Sequence, residues 1–183
     1  MLSNVSILEL IKSKDIILSP WDESLIRPAG VTLRLGEIII VPKAGNVVDI
    51  KNNILPEYES TKITLEKPFK LEPNMFVLAD TLEEIGLSEK VGMLLEGRST
   101  IARLGISVVQ TAMIIDTGQK PKTMTLEIHN AGPNAVLLYP KMLFCRACFF
   151  LLNPAATTRR DTSNDKYFKG DANLPIFKDE IRG

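Results

Sequence analysis

Apolar and polar residues alternate along most of this chain with the two-residue period of a β-strand, in which successive side chains point to opposite faces. The pattern predicts strands at 31–35, 37–42, 62–67, 76–81, 91–97, 107–116, 122–130, 135–140 and 142–152. Pro, Gly, Asn and Asp fill the gaps, as turn chemistry requires. Near the start Ile7, Leu8, Leu10 and Ile11 form a helical stripe instead. Ser6 followed by Glu9 is a capping-box pattern there, and Pro20 stops any continuation. A further short helical turn is expected within Arg98–Gly105, between two strands. Many short strands at this spacing argue for an all-β sandwich, jelly roll or barrel with one short N-terminal helix. From Asn153 the chain turns polar, so a domain over 1–155 and a tail over 156–183 are expected. The tail carries Arg159, Arg160, Lys166 and Lys169, and reads either as a solvated terminus or as a flap over an anionic ligand.

A chain of 183 residues with 45% hydrophobic content is enough for one domain with a core. Lys and Arg together number 22, as do Asp and Glu. That balance leaves no general basic face for nucleic acid, so an anionic ligand needs a local cation cluster. No apolar run approaches the roughly 18 residues of a membrane span, and the N-terminus lacks the pattern of a signal peptide, so a cytoplasmic protein is expected. Cys145 and Cys148 form a CxxC, but His129 is the one other Cys or His in the chain. Structural zinc needs four such ligands, so no zinc site is expected. The apolar run around them reads as a strand with two buried, unpaired thiols.

Two segments carry candidate chemistry. In TMTLEIHNAG, residues 123–132, Glu127 shares a strand face with Thr123, Thr125 and His129. On spacing alone that is a solvated strand face, and His129 is a surface or interface histidine. In LLEGRSTIARLG, residues 94–105, Arg98, Ser99 and Thr100 bring a cation, two hydroxyls and free backbone N–H groups to one turn. Such a turn complements phosphate oxygens, although a surface turn explains the bare pattern as well. Trp21 is assigned to packing beside the N-terminal helix.

Taken together, residues 96–132 resemble the central signature of the dCTP deaminases, relatives of the trimeric dUTPases. The likeness rests on Glu96, Gly97, Arg98, Ser99, Arg103, Leu104 and Gly105; then Thr111, Ala112, Ile115, Asp116 and Gly118; then Leu126, Glu127 and Asn130. Three blocks agree in order and spacing, and the likeness extends over roughly residues 5–153. It implies a distorted dUTPase-like jelly roll, a homotrimer, and sites at subunit interfaces. The implied reaction is hydrolytic deamination of dCTP to dUTP and ammonia, with a further step in some members to dUMP and pyrophosphate.

The same resemblance assigns roles. Glu127 would be the general base and acid, with Ser99 and Arg103 near the reacting end. Arg98, Ser99 and Thr100 would hold phosphates. The backbone from Gln110 to Ala112 would read the base edge, with Thr125 beside Glu127 on the strand. Asp116 would hydrogen-bond the 3′-hydroxyl, and Lys166 would fold over the triphosphate. Mg²⁺ would accompany the phosphates, with no metal ligand set on the protein. The H-x-E…P-C-x-x-C pattern of zinc-dependent base deaminases is absent. The chain departs from the family at Gln119, where an aromatic usually packs on the sugar. It departs also at Pro121 and Gly170, usually Gly and Gln, at Met113, and in lacking a tail aromatic before Lys166. Two other readings remain open: a dUTPase with Asp116 as water activator, and a trimer that binds nucleotide or protein without turnover.

Overall fold

The computed structural model describes residues 1–157 apart from residues 46 and 53. The tail, with Arg159, Arg160, Lys166, Lys169 and Gly170, lies outside the described residues. The all-β class holds. Helix α1 (Asn4–Lys12) is followed by twelve strands: β1 (Ile16–Ser19), β2 (Ile26–Arg27), β3 (Gly30–Pro42), β4 (Tyr58–Lys62), β5 (Phe69–Leu71), β6 (Phe76–Leu87), β7 (Val91–Gly97), β8 (Ile106–Ser107), β9 (Ile114–Ile115), β10 (Lys122–Asn130), β11 (Val136–Leu138) and β12 (Leu143–Leu151). One turn of helix, α2 (Ser99–Ala102), separates β7 from β8. The main sheet runs β8-β10-β6-β3-β12-β7-β9, with β1 also on β6 and with β2 and β4 also on β3; β5 and β11 pair separately.

The sheet bends where two register shifts coincide. Between β3 and β6 the pairing jumps from Leu35–Thr81 to Ile39–Ala79. Between β10 and β6 it jumps from Thr123–Glu84 to Thr125–Asp80. Extra residues on one strand bend it and increase its twist, which lets one sheet wrap a core. Side chains satisfy the backbone freed there: Thr81 Oγ1 accepts the Met124 N–H at 2.9 Å and donates to the Glu83 carbonyl at 2.7 Å. The Glu83 carboxylate, 2% exposed, turns inward. It accepts the Arg34 Nε–H at 2.6 Å and the Arg34 N–H at 2.8 Å, and Arg34 also reaches Asp22 at 3.6 Å. A charge so buried persists only because it is paired and hydrogen-bonded. Leu33, Leu35, Val77, Ile85, Leu126, Ile128 and Phe149 fill the core between the curled faces, and Ile7 anchors α1 to it.

Several boundaries differ from the periodic reading. The expected strands 31–35 and 37–42 are one strand, β3, running through Gly36. The expected strand 62–67 is instead β4, ending at Lys62, because Thr64 and Lys67 close a turn through Lys67 N–H to Thr64 Oγ1 at 3.0 Å. The strand at 76–81 continues to Leu87. The stretch 107–116 is a loop between two-residue strands, since Val108 and Gln110 bond to Glu127 rather than to a regular ladder. Strands β1, β2 and β5, two to four residues long, are too short to show a period. Helix α1 begins earlier than expected: Ser3 is the cap, accepting the Ser6 N–H, so Ser6 and Glu9 form no capping box. Trp21 stays 39% exposed rather than packed away.

On β12 the CxxC spacing sends the two sulfurs to opposite faces. Cys145 is buried and Cys148 half-buried, which corrects the expectation of two buried thiols. Burial pushes both thiols above the ordinary range, with Glu83 adding to the effect on Cys145. Both therefore stay protonated at neutral pH. Among the described residues no helix is long and apolar enough to cross a membrane.

Candidate active site

Glu127 sits in the middle of β10, half-buried, on the face that also carries Thr125 and His129. From Thr123 onward burial alternates strictly, with Met124, Leu126, Ile128 and Asn130 turned to the core. One residue of slip would have buried the carboxylate instead. The carboxylate does not hang free: its Oε2 accepts the backbone N–H of Gln110 at 2.9 Å. The Glu127 N–H donates to the Val108 carbonyl at 3.0 Å. The Gln110 carboxamide donates to Ser107 Oγ at 3.0 Å and to the Glu127 carbonyl at 3.3 Å. Two residues back, Thr125 Oγ1 donates to Asp80 Oδ1 at 3.4 Å. His129 is half-buried, opposite Phe76 and Ser107 in register.

Asn130 ends the strand, fully buried. Its Nδ2 donates to the carbonyls of Leu71 and Asn134, at 3.1 and 2.9 Å, and its Oδ1 accepts the Gly132 N–H at 3.0 Å. Its place in the motif is thus explained by the turn it builds. That turn meets the end of α2: the Ala131 N–H donates to the Gly105 carbonyl at 2.8 Å, and Gly105 takes φ +84°, a left-handed conformation suited to glycine.

The cationic corner forms where β7 ends. Arg98 caps α2 with its backbone, while its Nη1 donates to the Leu143 carbonyl at 2.7 Å. Ser99, Thr100 and Arg103 are exposed, and their side chains make no hydrogen bond or ion pair among the described residues. This corner and Glu127 share one end of the sheet: a Cβ placed on Gly97 would lie 3.6 Å from Val108 Cγ2, and the Val108 carbonyl holds Glu127. Within one chain, however, neither Ser99 nor Arg103 makes a hydrogen bond or ion pair to Glu127.

Arg146 escaped the sequence reading. It lies on β12 directly between Glu96 of β7 and Thr32 of β3. Its side chain is half-buried, with a fully buried Nε that has no acceptor, and Thr32 Oγ1 beside it is equally unpartnered. No ion pair balances it among the described residues. The signal was present, since one arginine interrupts the apolar run LFCRACFFLL, where a buried strand needs a reason for a charge.

Gln110, Thr111, Ala112 and Met113 lie in the exposed loop between β8 and β9, and Asp116 follows β9, also exposed. Beyond it the chain is fastened to β6. The Gly118 N–H donates to the Ser88 carbonyl at 3.2 Å, and the Gln119 carbonyl accepts the Leu87 N–H at 2.8 Å. The Gln119 amide is 4% exposed and donates to the Ile85 carbonyl at 3.4 Å. Pro121 lies so near Gly86 that a Cβ there would come within 2.9 Å of its Cγ. Gln119 therefore presents no side chain to the outside at all, and Pro121 uses its ring to clamp the loop. Lys166 lies outside the described residues.

A held carboxylate with one free oxygen and a neighbouring set of unpaired cations is what acid–base chemistry on an anionic substrate needs. Comparison with known proteins agrees with this architecture. A dCTP deaminase, dUMP-forming, from Nanoarchaeum equitans (strain Kin4-M) is 34% identical over 199 residues, covering 99% of this chain and 100% of that protein. The enzyme of the same description from Hydrogenobaculum sp. (strain Y04AAS1) is 35% identical over 153 residues, covering 84% and 83%. Among solved structures, 2′-deoxycytidine 5′-triphosphate deaminase from Agrobacterium tumefaciens superposes with a TM-score of 0.62 at 18% identity. The match covers 82% of this chain, which spans about half the length of that protein, 48%. At that identity the likeness shows a shared fold. Residues 1–152 match the dCTP deaminase-like family, and the chain belongs to it.

Proposed function

We propose that the chain hydrolyses dCTP to dUTP and ammonia, and carries dUTP on to dUMP and pyrophosphate at the same site. The observation that carries this reading is Glu127: half-buried, one oxygen held by the Gln110 N–H, the other without a partner among the described residues. In the first step Glu127 takes a proton from water as the oxygen adds to C4 of the cytosine ring. The C4–N bond then breaks, Glu127 returns the proton to the departing amino group, which leaves as ammonia, and the second water proton passes from the C4 hydroxyl to N3 as the carbonyl forms. The second step is favoured by the two relatives, which are described as dUMP-forming.

Phosphates fall to Arg98, Ser99 and Thr100, and the unpaired Arg146 supplies a further cation on the same side. The backbone of Gln110 to Ala112 faces the base, with Thr125 alongside, and Asp116 takes the sugar 3′-hydroxyl. Lys166 is assigned to the triphosphate from the sequence alone. Mg²⁺ travels with the triphosphate, whose charge exceeds what two or three cationic side chains neutralise. Ser99 and Arg103 act on the Glu127 of a neighbouring subunit. Their exposed side chains, without hydrogen-bond or ion-pair partners among the described residues, support a homotrimer with shared sites. Light scattering should then give a mass of three times 20.3 kDa, and a monomer at working concentration would remove the shared-site arrangement.

The decisive experiment incubates the protein with dCTP and Mg²⁺ and resolves the products over time. dUMP, pyrophosphate and ammonia support both steps, and dUTP with ammonia supports the first alone. Turnover of dUTP but not dCTP, or binding without turnover, overturns the deaminase reading. Arg98→Ala should weaken triphosphate affinity by about tenfold to a hundredfold, the range of a lost hydrogen bond to a charged group. Calorimetric titration checks this, and an unchanged affinity would take Arg98 out of the phosphate site.

A further inference from the structure

Gln110 touches Glu127 through two different groups. Its backbone N–H donates to Oε2 at 2.9 Å, and its side-chain Nε2 donates to the Glu127 carbonyl at 3.3 Å. The same Nε2 donates to Ser107 Oγ at 3.0 Å. These contacts occur where the sheet has stopped: β8 pairs with β10 only at Ser107–His129 and Ile106–Asn130. Past that point Val108 and Val109 are buried in the core and the chain is exposed from Gln110 onward, where the Gln110 contacts hold it beside Glu127 next to the Glu127–Val108 bond. Removing the carboxamide leaves the Gln110 N–H on a loop with a single remaining tie to that residue of the strand.

The chemistry of the side chain suits the task. A glutamate on a sheet surface has three rotatable side-chain bonds, so its carboxylate explores many positions unless something fixes it. A neutral amide spans two acceptors at once with its two N–H groups. It adds no charge, whereas a lysine would compete for the carboxylate and a second acid would repel it.

We infer that Gln110 is a positioning residue: its carboxamide laces the 107–110 loop to β10, so that its own N–H pins Glu127 Oε2 and leaves Oε1 to handle the proton. The inference rests on the role proposed for Glu127. It adds that the two carboxylate oxygens are not equivalent, and that a side chain outside the reacting groups makes them so. A misplacement of about 1 Å in such a group costs on the order of a hundredfold in rate, and a partial loosening costs less.

The test uses the full chain with Gln110→Met, which keeps the length and the backbone N–H but removes both carboxamide donors. The expected result is a drop in kcat for dCTP of about tenfold with KM within about threefold. Amide hydrogen exchange at residue 110 should accelerate about tenfold, because the N–H then opens more often, while the thermal midpoint stays put. Ser107→Ala cuts the other end of the lace and should shift kcat and exchange in the same direction by a smaller factor, about threefold. An unchanged kcat, a loss confined to KM, or unchanged exchange at residue 110 would overturn the inference. Exchange needs no turnover: if the wild-type protein fails to deaminate dCTP, the proposed reaction falls, while the exchange comparison still decides whether the carboxamide holds the loop to Glu127.

Discussion

Glu127→Gln should reduce dCTP deamination by on the order of a thousandfold or more, within the range carried by a positioned general acid–base group. Nucleotide affinity should stay within about threefold, since the substitution changes no bulk and leaves the phosphate-side residues alone. The amide oxygen can still accept the Gln110 N–H that Oε2 accepts at 2.9 Å, so the local geometry survives. What is lost is proton-carrying capacity, because an amide neither takes a proton from water at neutral pH nor hands one to a leaving amine. Steady-state kinetics with direct ammonia detection, alongside calorimetric titration with dCTP, separates the two quantities. Residual turnover within tenfold of wild type would transfer the proton-carrying role to another group. A collapse of binding with kcat preserved would mean that Glu127 serves recognition.

The strand carrying Glu127 was legible because its apolar–polar alternation is unbroken from Thr123 to His129 and matches the observed burial at each of those positions. The same rule failed at 107–116, where the apolar pattern continues but the Gln110 N–H goes to the Glu127 carboxylate and the Gln110 carboxamide reaches the Glu127 carbonyl. Periodicity reports which side chains want burial; it is blind to a side chain that replaces a ladder. It missed the corner at β3, β6 and β10 for a related reason. Glu83 in the run TLEEIGL looks like one more solvated acid, yet a register shift turns it inward at 2% exposure. The partner that makes this tolerable, Arg34, is 49 residues away in sequence. Arg146 is the converse case: its isolation in an apolar strand was visible, but only the neighbouring strands reveal that nothing in the described chain satisfies it. The departures at Gln119 and Pro121 gain a physical account from the same long-range packing. Both residues hold the loop after Asp116 against β6, through Ile85, Gly86 and Leu87.

Glu83→Gln should destabilise the domain by about 3 kcal/mol, because neutralising one partner of a buried ion pair strands the other and loses charge-assisted bonds. The amide oxygen can accept only one of the two bonds, so either the Arg34 Nε–H, now at 2.6 Å, or the Arg34 N–H, now at 2.8 Å, faces an amide NH2 instead of an acceptor, and the guanidinium keeps a single carboxylate, Asp22 at 3.6 Å. For a domain of this size that is a fall in thermal midpoint of about 6–12 °C at fixed protein concentration. The double variant Arg34→Met with Glu83→Met should be less damaging than the sum of its two single substitutions, since it removes both charges together. Differential scanning calorimetry on the four proteins measures the coupling. A midpoint within about 2 °C of wild type for Glu83→Gln would show that the pair is dispensable and that the bend is held by Thr81 and backbone alone. The bend also positions chemistry: Thr81 Oγ1 holds the Met124 N–H, and the next outward residues along β10 are Thr125 and Glu127. Glu83→Gln is therefore expected to lower kcat at temperatures where the protein is still folded, a coupling between core and site that a purely local view of Glu127 does not contain.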